Sequence, residues 1–267
     1  MIREPAVAGQ FYPAGRLELE EEVARLACPD AVKEDALAVV VPHAGYIYSG
    51  MVAGQTLSKI KAAGTFVILG PNHTGLGEPF SVMAKGRWRT PLGEAVIDEG
   101  LAAKLIAISQ LLKDDAQAHA YEHSIEVQLP FLQFLFKEFT FLPVVVAHAN
   151  GAAYRKIGAD IAQAIEESQG PVTIIASSDM THYEPQKDAK IKDRATIDAI
   201  LALDADMLLS KIEELGISMC GYGPVAIAIY AARKLGAKRA RLVKYQTSGD
   251  VTLDYASVVG YAGIIIT

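Results

Sequence analysis

The chain has 267 residues, of which 51% are hydrophobic and 21% are charged, and its formal net charge is −6. This composition is typical of a globular protein rather than of a disordered chain, and it offers no excess of basic residues for binding nucleic acid. A chain of this length can bury the core of one α/β domain, so we predict a single domain over residues 1–267.

The predicted elements alternate along the chain. Apolar runs rich in β-branched and aromatic residues predict strands over 36–41, 65–69, 79–84, 141–147, 172–177, 241–246 and 257–266. Segments whose apolar residues recur every three or four positions predict helices over 50–63, 99–112, 122–136, 152–168, 188–202, 205–215 and 223–235. This alternation is typical of an α/β fold, in which helices cover both faces of a mixed, mostly parallel sheet.

Features at the start of the chain and the cysteine usage predict the compartment. The first residues, MIREPAVAGQFYP, lack the apolar stretch of a signal peptide, and no run of apolar residues is long enough for a transmembrane helix. Cys28 and Cys220 lie far apart and do not form the pattern of a disulfide-rich secreted protein. We therefore expect a cytoplasmic protein that does not enter the membrane.

The segment RWRTPLG, residues 87–93, predicts a hairpin or loop and contains Trp88, the only tryptophan. An aromatic side chain of this size most often serves as a packing anchor. The alternative is that Trp88 lines a pocket.

Three histidines each follow shortly after the end of a predicted strand: His43, His73 and His182. The carboxyl ends of strands in an open α/β sheet form the rim where ligands bind. Neutral imidazole is a common ligand of zinc, iron and copper, and it also serves in acid–base catalysis. The sequence therefore predicts a metal site or an acid–base site at this rim.

Asp179 precedes His182 by three residues, a spacing that places both side chains on one side of a helical turn. A carboxylate in that position can fix the tautomer of the imidazole and raise its basicity, so we predict that Asp179 orients His182 as a general base. The alternative is that Asp179 caps a helix and His182 is a solvated residue of the first turn.

Cys220 lies directly before the predicted helix 223–235. A helix N-terminus favours the thiolate, so we expect the pKa of Cys220 to be lowered and the residue to act as a metal ligand or a nucleophile. The alternative is that Cys220 is a small buried apolar residue, which is also what we expect of Cys28 if it is not simply exposed.

Residues 119–123 spell H-x-x-E-H, the signature of inverted zinc peptidases. That motif needs both histidines on one helical face, whereas the predicted helix begins near Glu122 and leaves His119 in the preceding loop. The peptidase interpretation is therefore the less favoured one.

Six segments taken together resemble the Memo family, whose prokaryotic members are called AmmeMemoRadiSam system protein B. The resemblance runs in the same order from about residue 3 to the C-terminus. The matching segments are AGQFYP (8–13), PHAGY (42–46), GPNH (70–73), EHSIEVQLP (122–130), SSDMTHY (177–183) and CGYGP (220–224).

The Memo family is in turn similar to the catalytic subunits of class III extradiol dioxygenases, non-haem iron enzymes that cleave catechol rings. This resemblance implies a three-layer α/β/α fold and a metal held by two histidines and a carboxylate. His43 and His73 match the two histidine ligands, His182 matches the catalytic base, and His123 matches a second histidine that lines the site. The third ligand position falls on Cys220, and a thiolate there would change the charge, softness and redox potential of the metal.

The resemblance implies a divalent metal ion, with Fe(II) expected first and copper or zinc as alternatives. We predict a metal-dependent oxidoreductase that acts on a small substrate. The predicted metal ligands are His43, His73 and Cys220, and the predicted catalytic residues are His182, Asp179 and His123.

The alternative is a non-catalytic binding or adaptor protein that uses the same cleft for a peptide or small ligand, because animal members of the family are described as phosphotyrosine-peptide adaptors. The family name also implies a functional link to a radical-SAM protein.

Overall fold

The computed structural model describes residues 1–267 and contains twelve strands and nine α-helices. The strands are β1 (Ile2–Arg3), β2 (Ala38–Val41), β3 (Thr65–Pro71), β4 (Phe80–Val82), β5 (Arg87–Thr90), β6 (Gly93–Ile97), β7 (Lys113–Asp114), β8 (Thr140–Val146), β9 (Val172–Ser177), β10 (His182–Glu184), β11 (Ala240–Thr247) and β12 (Val258–Ile266). The helices are α1 (Arg16–Leu26), α2 (Tyr46–Leu57), α3 (Glu99–Ile108), α4 (Leu129–Leu135), α5 (Gly151–Glu166), α6 (Gln186–Leu201), α7 (Ala205–Glu214), α8 (Tyr222–Lys234) and α9 (Gly249–Thr252).

All twelve strands belong to one sheet, whose main path runs β1-β5-β6-β8-β3-β9-β2-β12-β10. The five consecutive strands β6, β8, β3, β9 and β2 of this path are parallel to one another. Strand β12 is antiparallel to β2, and both β10 and β11 pair with β12 in the antiparallel sense. These pairings confirm the predicted mixed, mostly parallel sheet.

Alternate residues of the central strands enter two separate hydrophobic cores. Val39 and Val41 of β2 pack into a core with side chains of α1, α2 and α4, such as Leu57. Val40 of the same strand packs into a second core with side chains of α3, α5, α6, α7 and α8, such as Ile227. Because successive side chains of a strand point to opposite faces, the sheet lies between two helical layers, which confirms the three-layer α/β/α fold.

Three predicted helices differ from those in the structure, and one of them, 99–112, ends earlier, at Ile108. Within the predicted helix 122–136, the α-helix begins only at Leu129 and ends at Leu135. A short 3-10 turn at Glu126–Gln128 precedes it. The residues before it fold around the carboxylate of Glu122, which accepts a hydrogen bond from the backbone N–H of Ser124. The predicted helix 50–63 begins earlier, at Tyr46, and ends at Leu57.

Some short elements have no counterpart among the predictions, notably α1, whose apolar stripe consists only of Leu19, Val23 and Leu26 among charged residues. The predicted hairpin is confirmed as the antiparallel pair β5–β6. Trp88 on β5 is fully buried beneath the Arg3 guanidinium, which lies 4.1 Å from the ring centroid, so the packing interpretation of this tryptophan is confirmed. None of the helices combines the length and the hydropathy that a membrane span requires.

Candidate metal centre

The carboxyl ends of β2, β3 and β9 meet at one edge of the sheet because the three strands are parallel neighbours. The loops that leave these ends carry His43, His73 and the pair Asp179 and His182. All of them border one cleft of about 850 Å³. The same cleft is also lined by His123, from the loop before α4, and by Cys220, from the loop before α8. The structure therefore brings all six predicted site residues together, while the roles assigned to them stay predictions.

Three imidazoles form the closest group in this cleft. One ligand atom each of His43, His73 and His123 lies within 4.8 Å of the other two. The ring centroids of His43 and His73 are 5.1 Å apart, and the rings of His73 and His123 stack at 4.5 Å with an interplanar angle of 18°. Three imidazoles at this spacing form a set of nitrogen donors that suits zinc, iron or copper.

The hydrogen bonds around His43 determine its tautomer. Nδ1 of His43 lies 2.9 Å from the hydroxyl oxygen of Ser177. That hydroxyl donates its only proton to the backbone carbonyl of Ser124 and accepts a hydrogen bond from the side-chain amide of Gln128. It can therefore only accept from His43, so Nδ1 carries the proton and Nε2 keeps a free lone pair. Burial, together with the charges of neighbouring histidines, lowers the pKa of His43 well below its usual range, so the ring is neutral at pH 7.

A buried carboxylate holds His73. One oxygen of Glu122 accepts a hydrogen bond from the backbone N–H of His73 at 2.7 Å, and the other lies 2.9 Å from Nδ1 of the same residue. Burial acts to raise the pKa of the Glu122 carboxyl, but the hydrogen bond from His73 and the nearby imidazoles outweigh it and lower the pKa to about 2. The carboxylate therefore keeps the proton of His73 on Nδ1 and leaves Nε2 free, as in many carboxylate–histidine–metal arrangements.

His123 is held mainly by ring contacts. Its ring lies between that of His73 and that of Phe11, whose centroid is 4.7 Å away. Nδ1 of His123 is 3.7 Å from the Glu122 carboxylate, which is too long for a hydrogen bond. Burial lowers the pKa of His123 to about 4 despite the attraction of Glu122, so this ring is also neutral and able to donate a lone pair near pH 7.

Cys220 lies beside the three imidazoles. Its sulfur is 3.2 Å from Nε2 of His43 and 3.7 Å from the backbone carbonyl oxygen of Asp179. Burial, and then the negative charge of Asp179, raise the pKa of the Cys220 thiol well above its usual range. The expected lowering of this pKa is therefore wrong for the metal-free protein, because desolvation outweighs the dipole of α8. The protonated thiol donates to Nε2 of His43, at the lone pair that would bind a metal.

The predicted orientation of His182 by Asp179 is also wrong. The carboxylate of Asp179 accepts hydrogen bonds from the backbone N–H groups of His43 and Ala44, at 2.7 and 3.3 Å. Nδ1 of His182 instead donates to the backbone carbonyl of Ser218 at 2.9 Å. The helical turn assumed from the spacing does not form, because His182 begins strand β10. Asp179 therefore shapes the loop that carries His43, and the Ser218 carbonyl sets the tautomer of His182.

The H-x-x-E-H segment does not form a peptidase site. His119 is fully buried, with Nε2 3.2 Å from the hydroxyl of Ser81 and its ring against Trp88, and it does not line the cleft. Of the other residues of the motif, His123 belongs to the group of three imidazoles, and Glu122 is the carboxylate that contacts His73.

Several residues of the site were not predicted. Glu122 could have been suspected because a carboxylate stands directly before His123 in the chain. The contacts of Ser177 and Ser218 have no signal in the sequence, because their partners lie 134 and 36 positions away.

The spacing of the three imidazoles fits a metal ion. Nitrogen ligands lie about 2.1 Å from zinc, so two such nitrogens are at most about 4.2 Å apart across the metal. Atoms that are within 4.8 Å of one another reach that spacing when each moves inward by roughly 0.3 Å. Nε2 carries no proton in either His43 or His73, and that of His43 becomes available once the Cys220 thiol gives up its hydrogen bond, so the donors present suit a borderline transition metal.

The chain is similar to known proteins of one family. A family model described as Memo-like protein matches residues 3–265. A MEMO1 family protein of Methanopyrus kandleri is 46% identical over 279 residues, with 99% of both chains covered. Another MEMO1 family protein, from Methanococcoides burtonii, is 44% identical over 267 residues, with 99% of this chain and 100% of that relative covered.

One solved structure shares the fold. The crystal structure of an uncharacterized protein from Escherichia coli K12 has a TM-score of 0.59 at 13% identity, covering 85% of this chain and 98% of that one. At this identity the likeness concerns the fold alone. The family match over residues 3–265 and the full-length relatives lead to one conclusion: the chain belongs to the Memo family.

Proposed function

We propose that the protein is a metal-dependent oxidoreductase that binds one divalent metal ion at His43, His73 and His123 and acts on a small substrate in the adjoining cleft. Iron is the first expectation, with copper or zinc as alternatives. The observation that carries the proposal is the convergence of three imidazole ligand atoms within 4.8 Å, in a cleft with room for a substrate.

The surrounding residues support the proposal because they prepare the ligands before any metal arrives. Ser177 and Glu122 hold the protons of His43 and His73 on Nδ1. Such partners orient metal-binding histidines and raise their basicity. Cys220 is the predicted further ligand, because its sulfur lies next to Nε2 of His43. A thiolate forms there only when a metal replaces the proton, which would make metal binding dependent on pH.

His182 is the proposed general base. Its Nδ1 donates to the Ser218 carbonyl, so the lone pair lies on Nε2, and the residue lines the cleft that the metal ligands border. It is therefore able to accept a proton from a substrate hydroxyl within hydrogen-bond reach. A bound iron or copper ion would supply the redox chemistry and polarise a substrate oxygen.

The test is metal binding by chelator-treated protein under anaerobic conditions. We expect one ion per chain and a higher melting temperature, because a ligand of the native state contributes about 2.7 kcal/mol at a hundredfold excess over its Kd. Substitution of His43, His73 or His123 by Ala should abolish binding, whereas His148→Ala, an exposed histidine outside the group, should not. An unchanged melting curve with iron, copper and zinc would contradict the proposal.

Catalysis is tested separately with metal-loaded protein. Oxygen uptake with small phenolic and other aromatic substrates should depend on His182, so His182→Gln should lose turnover while keeping the metal. Metal binding without turnover of any substrate would favour the alternative, in which the cleft serves a non-catalytic binding or adaptor function.

A further inference from the structure

A tyrosine hydroxyl without a protein partner borders the cleft. Tyr261 on β12 is only 2% exposed, yet its hydroxyl makes no hydrogen bond within the protein, and the residue lines the cleft. Other buried tyrosines satisfy their hydroxyls: Tyr12 donates to Glu126, Tyr46 donates to the carbonyl of Val127, and Tyr154 accepts from the N–H of Ala149. The Tyr261 hydroxyl is open to the cleft and has no protein partner, so it is available for a hydrogen bond to a ligand bound there.

The backbone fixes Tyr261 next to the loop that carries Asp179 and His182. The residue before it, Gly260, accepts a hydrogen bond from the N–H of Met180 and donates one to the carbonyl of Thr181, both at 2.9 Å. Val259 is paired with His182 in the sheet and also lines the cleft. Because residues two apart on a strand share a face, Val259 and Tyr261 present their side chains to the same space.

The lining of this space has no side chain that is permanently positive. Among its 19 lining residues the cleft has two carboxyl groups, those of Asp179 and Asp254, and no lysine or arginine. Other positions supply hydroxyl groups, including Ser248, Thr252 and Ser257. Proteins recognise phosphate and carboxylate groups mainly through arginine, lysine and clusters of N–H donors. The protein part of the cleft therefore lacks the usual counter-charges for an anionic ligand.

We infer that Tyr261 binds the ligand of this cleft through its phenol and that the side chains of the cleft favour an uncharged or cationic small molecule over a phosphate or a carboxylate. This inference rests on the proposed function only in taking that ligand to be the substrate. Burial, and then the charge of Asp179, raise the pKa of Tyr261, so the phenol keeps its proton and donates to an acceptor on the ligand.

The experiment uses four probes of similar shape: benzamide, benzylamine, benzoate and phenyl phosphate. Their affinities are measured by NMR titration with the 267-residue chain, both as purified and after treatment with a chelator. We expect benzamide to bind at least tenfold more tightly than either anion in the chelator-treated protein, and benzylamine also to bind more tightly than the anions. Tyr261→Phe should weaken benzamide binding about fivefold, the usual net effect of one hydrogen bond.

Two further measurements separate recognition from structure. Tyr261→Phe keeps the ring and removes a hydroxyl with no protein partner, so its melting temperature and its metal content should equal those of the native protein. Tyr183→Phe is the control, because Tyr183 lines the same cleft but is 78% exposed and its hydroxyl can bond to water. Its benzamide affinity should not change.

Tighter binding of benzoate or phenyl phosphate, equal benzamide affinity of Tyr261→Phe and native protein, or no benzamide binding at the solubility limit would each overturn the inference. Failure of the metal proposal would look different. Iron, copper and zinc would then fail to bind, while the preference among the four probes persisted in the chelator-treated protein.

Discussion

Neighbouring side-chain and backbone groups decide which ring nitrogen of each histidine in this site carries the proton. Glu122 and Ser177 each contact Nδ1 of one histidine and so leave its Nε2 free. The Ser218 carbonyl does the same for His182. These contacts, and not the histidine alone, determine which ring nitrogen lacks a proton and can bind a metal. Substitution of the contacting residues should therefore change the metal affinity.

Glu122→Gln should weaken metal binding 10- to 100-fold, the usual effect of losing such a partner, because an amide does not offer the negative charge that the carboxylate presents to His73. Metal titration followed by calorimetry measures this. Glu126→Gln is the matched control, because Glu126 is equally buried but pairs with Arg3 and binds the N-terminal segment. It should lower the free energy of unfolding by roughly 3 kcal/mol without changing metal affinity. Equal metal affinities of the two variants would contradict this role of Glu122.

The two cysteines should differ in reactivity. The thiolate is the reactive form, and burial raises the pKa of Cys220, whereas Cys28 is exposed. We expect iodoacetamide to alkylate Cys28 well before Cys220 in chelator-treated protein, as read by mass spectrometry of the peptides. Faster labelling of Cys220 would show that its thiolate forms without a metal.

The loops at the carboxyl ends of the strands hold the site because they are packed closely against one another. Gly221, at the start of α8, lies against the loop after β9. A Cβ atom at this position would lie 2.3 Å from the carbonyl oxygen of Ser177 and 2.5 Å from Cβ of Ser178. The absence of a side chain at Gly221 therefore allows Cys220 to reach His43.

Gly221→Ala should destabilise the protein by about 2 kcal/mol, as overpacking of a dense region does, and should weaken metal binding by displacing the Cys220 loop. Chemical denaturation and metal titration test both effects. Gly100→Ala in α3 is the control, because its Cβ would approach no neighbour more closely than 3.5 Å and alanine favours a helix. We expect that variant to be as stable as the native protein or more so.

The stability of the entire fold should depend on pH through a histidine outside the site. Burial, and then the charge of Arg3, lower the pKa of His119 from 6.5 to about 4. Between these values the unfolded chain binds a proton that the folded protein does not bind. The free energy of unfolding must therefore fall as the pH decreases from 6.5 to about 4.

For His119 the full effect is roughly 3 kcal/mol, and His123 should add to it in the same direction. Urea denaturation of chelator-treated protein at intervals across this pH range measures the slope. His119→Gln should make the slope shallower, because glutamine does not titrate. The same slope in both proteins would mean that His119 is protonated in the folded state.

Local sequence patterns were sufficient for the architecture. Strands form from runs of apolar residues, and helices from apolar residues that recur every three or four positions. Both patterns can therefore be recognised in a short stretch of sequence. The positions of His43, His73 and His182 after strands followed from the same signal, because parallel strands end at one edge of the sheet. Weak or very short elements such as α1 and α9 carried too few apolar residues to be predicted.

The chemistry of the site depends instead on contacts between residues that are far apart in the chain. The carboxylate of Asp179 reaches the backbone of His43 across 136 positions, and that of Glu122 reaches His73 across 49. The raised pKa of Cys220 likewise comes from burial, which depends on the packing around the residue and not on its place before a helix. The sequence by itself therefore determined the three layers and which histidines lie at the rim. Only the tertiary structure decided the partners, tautomers and protonation of these groups, because burial and long-range hydrogen bonds exist only once the chain has folded.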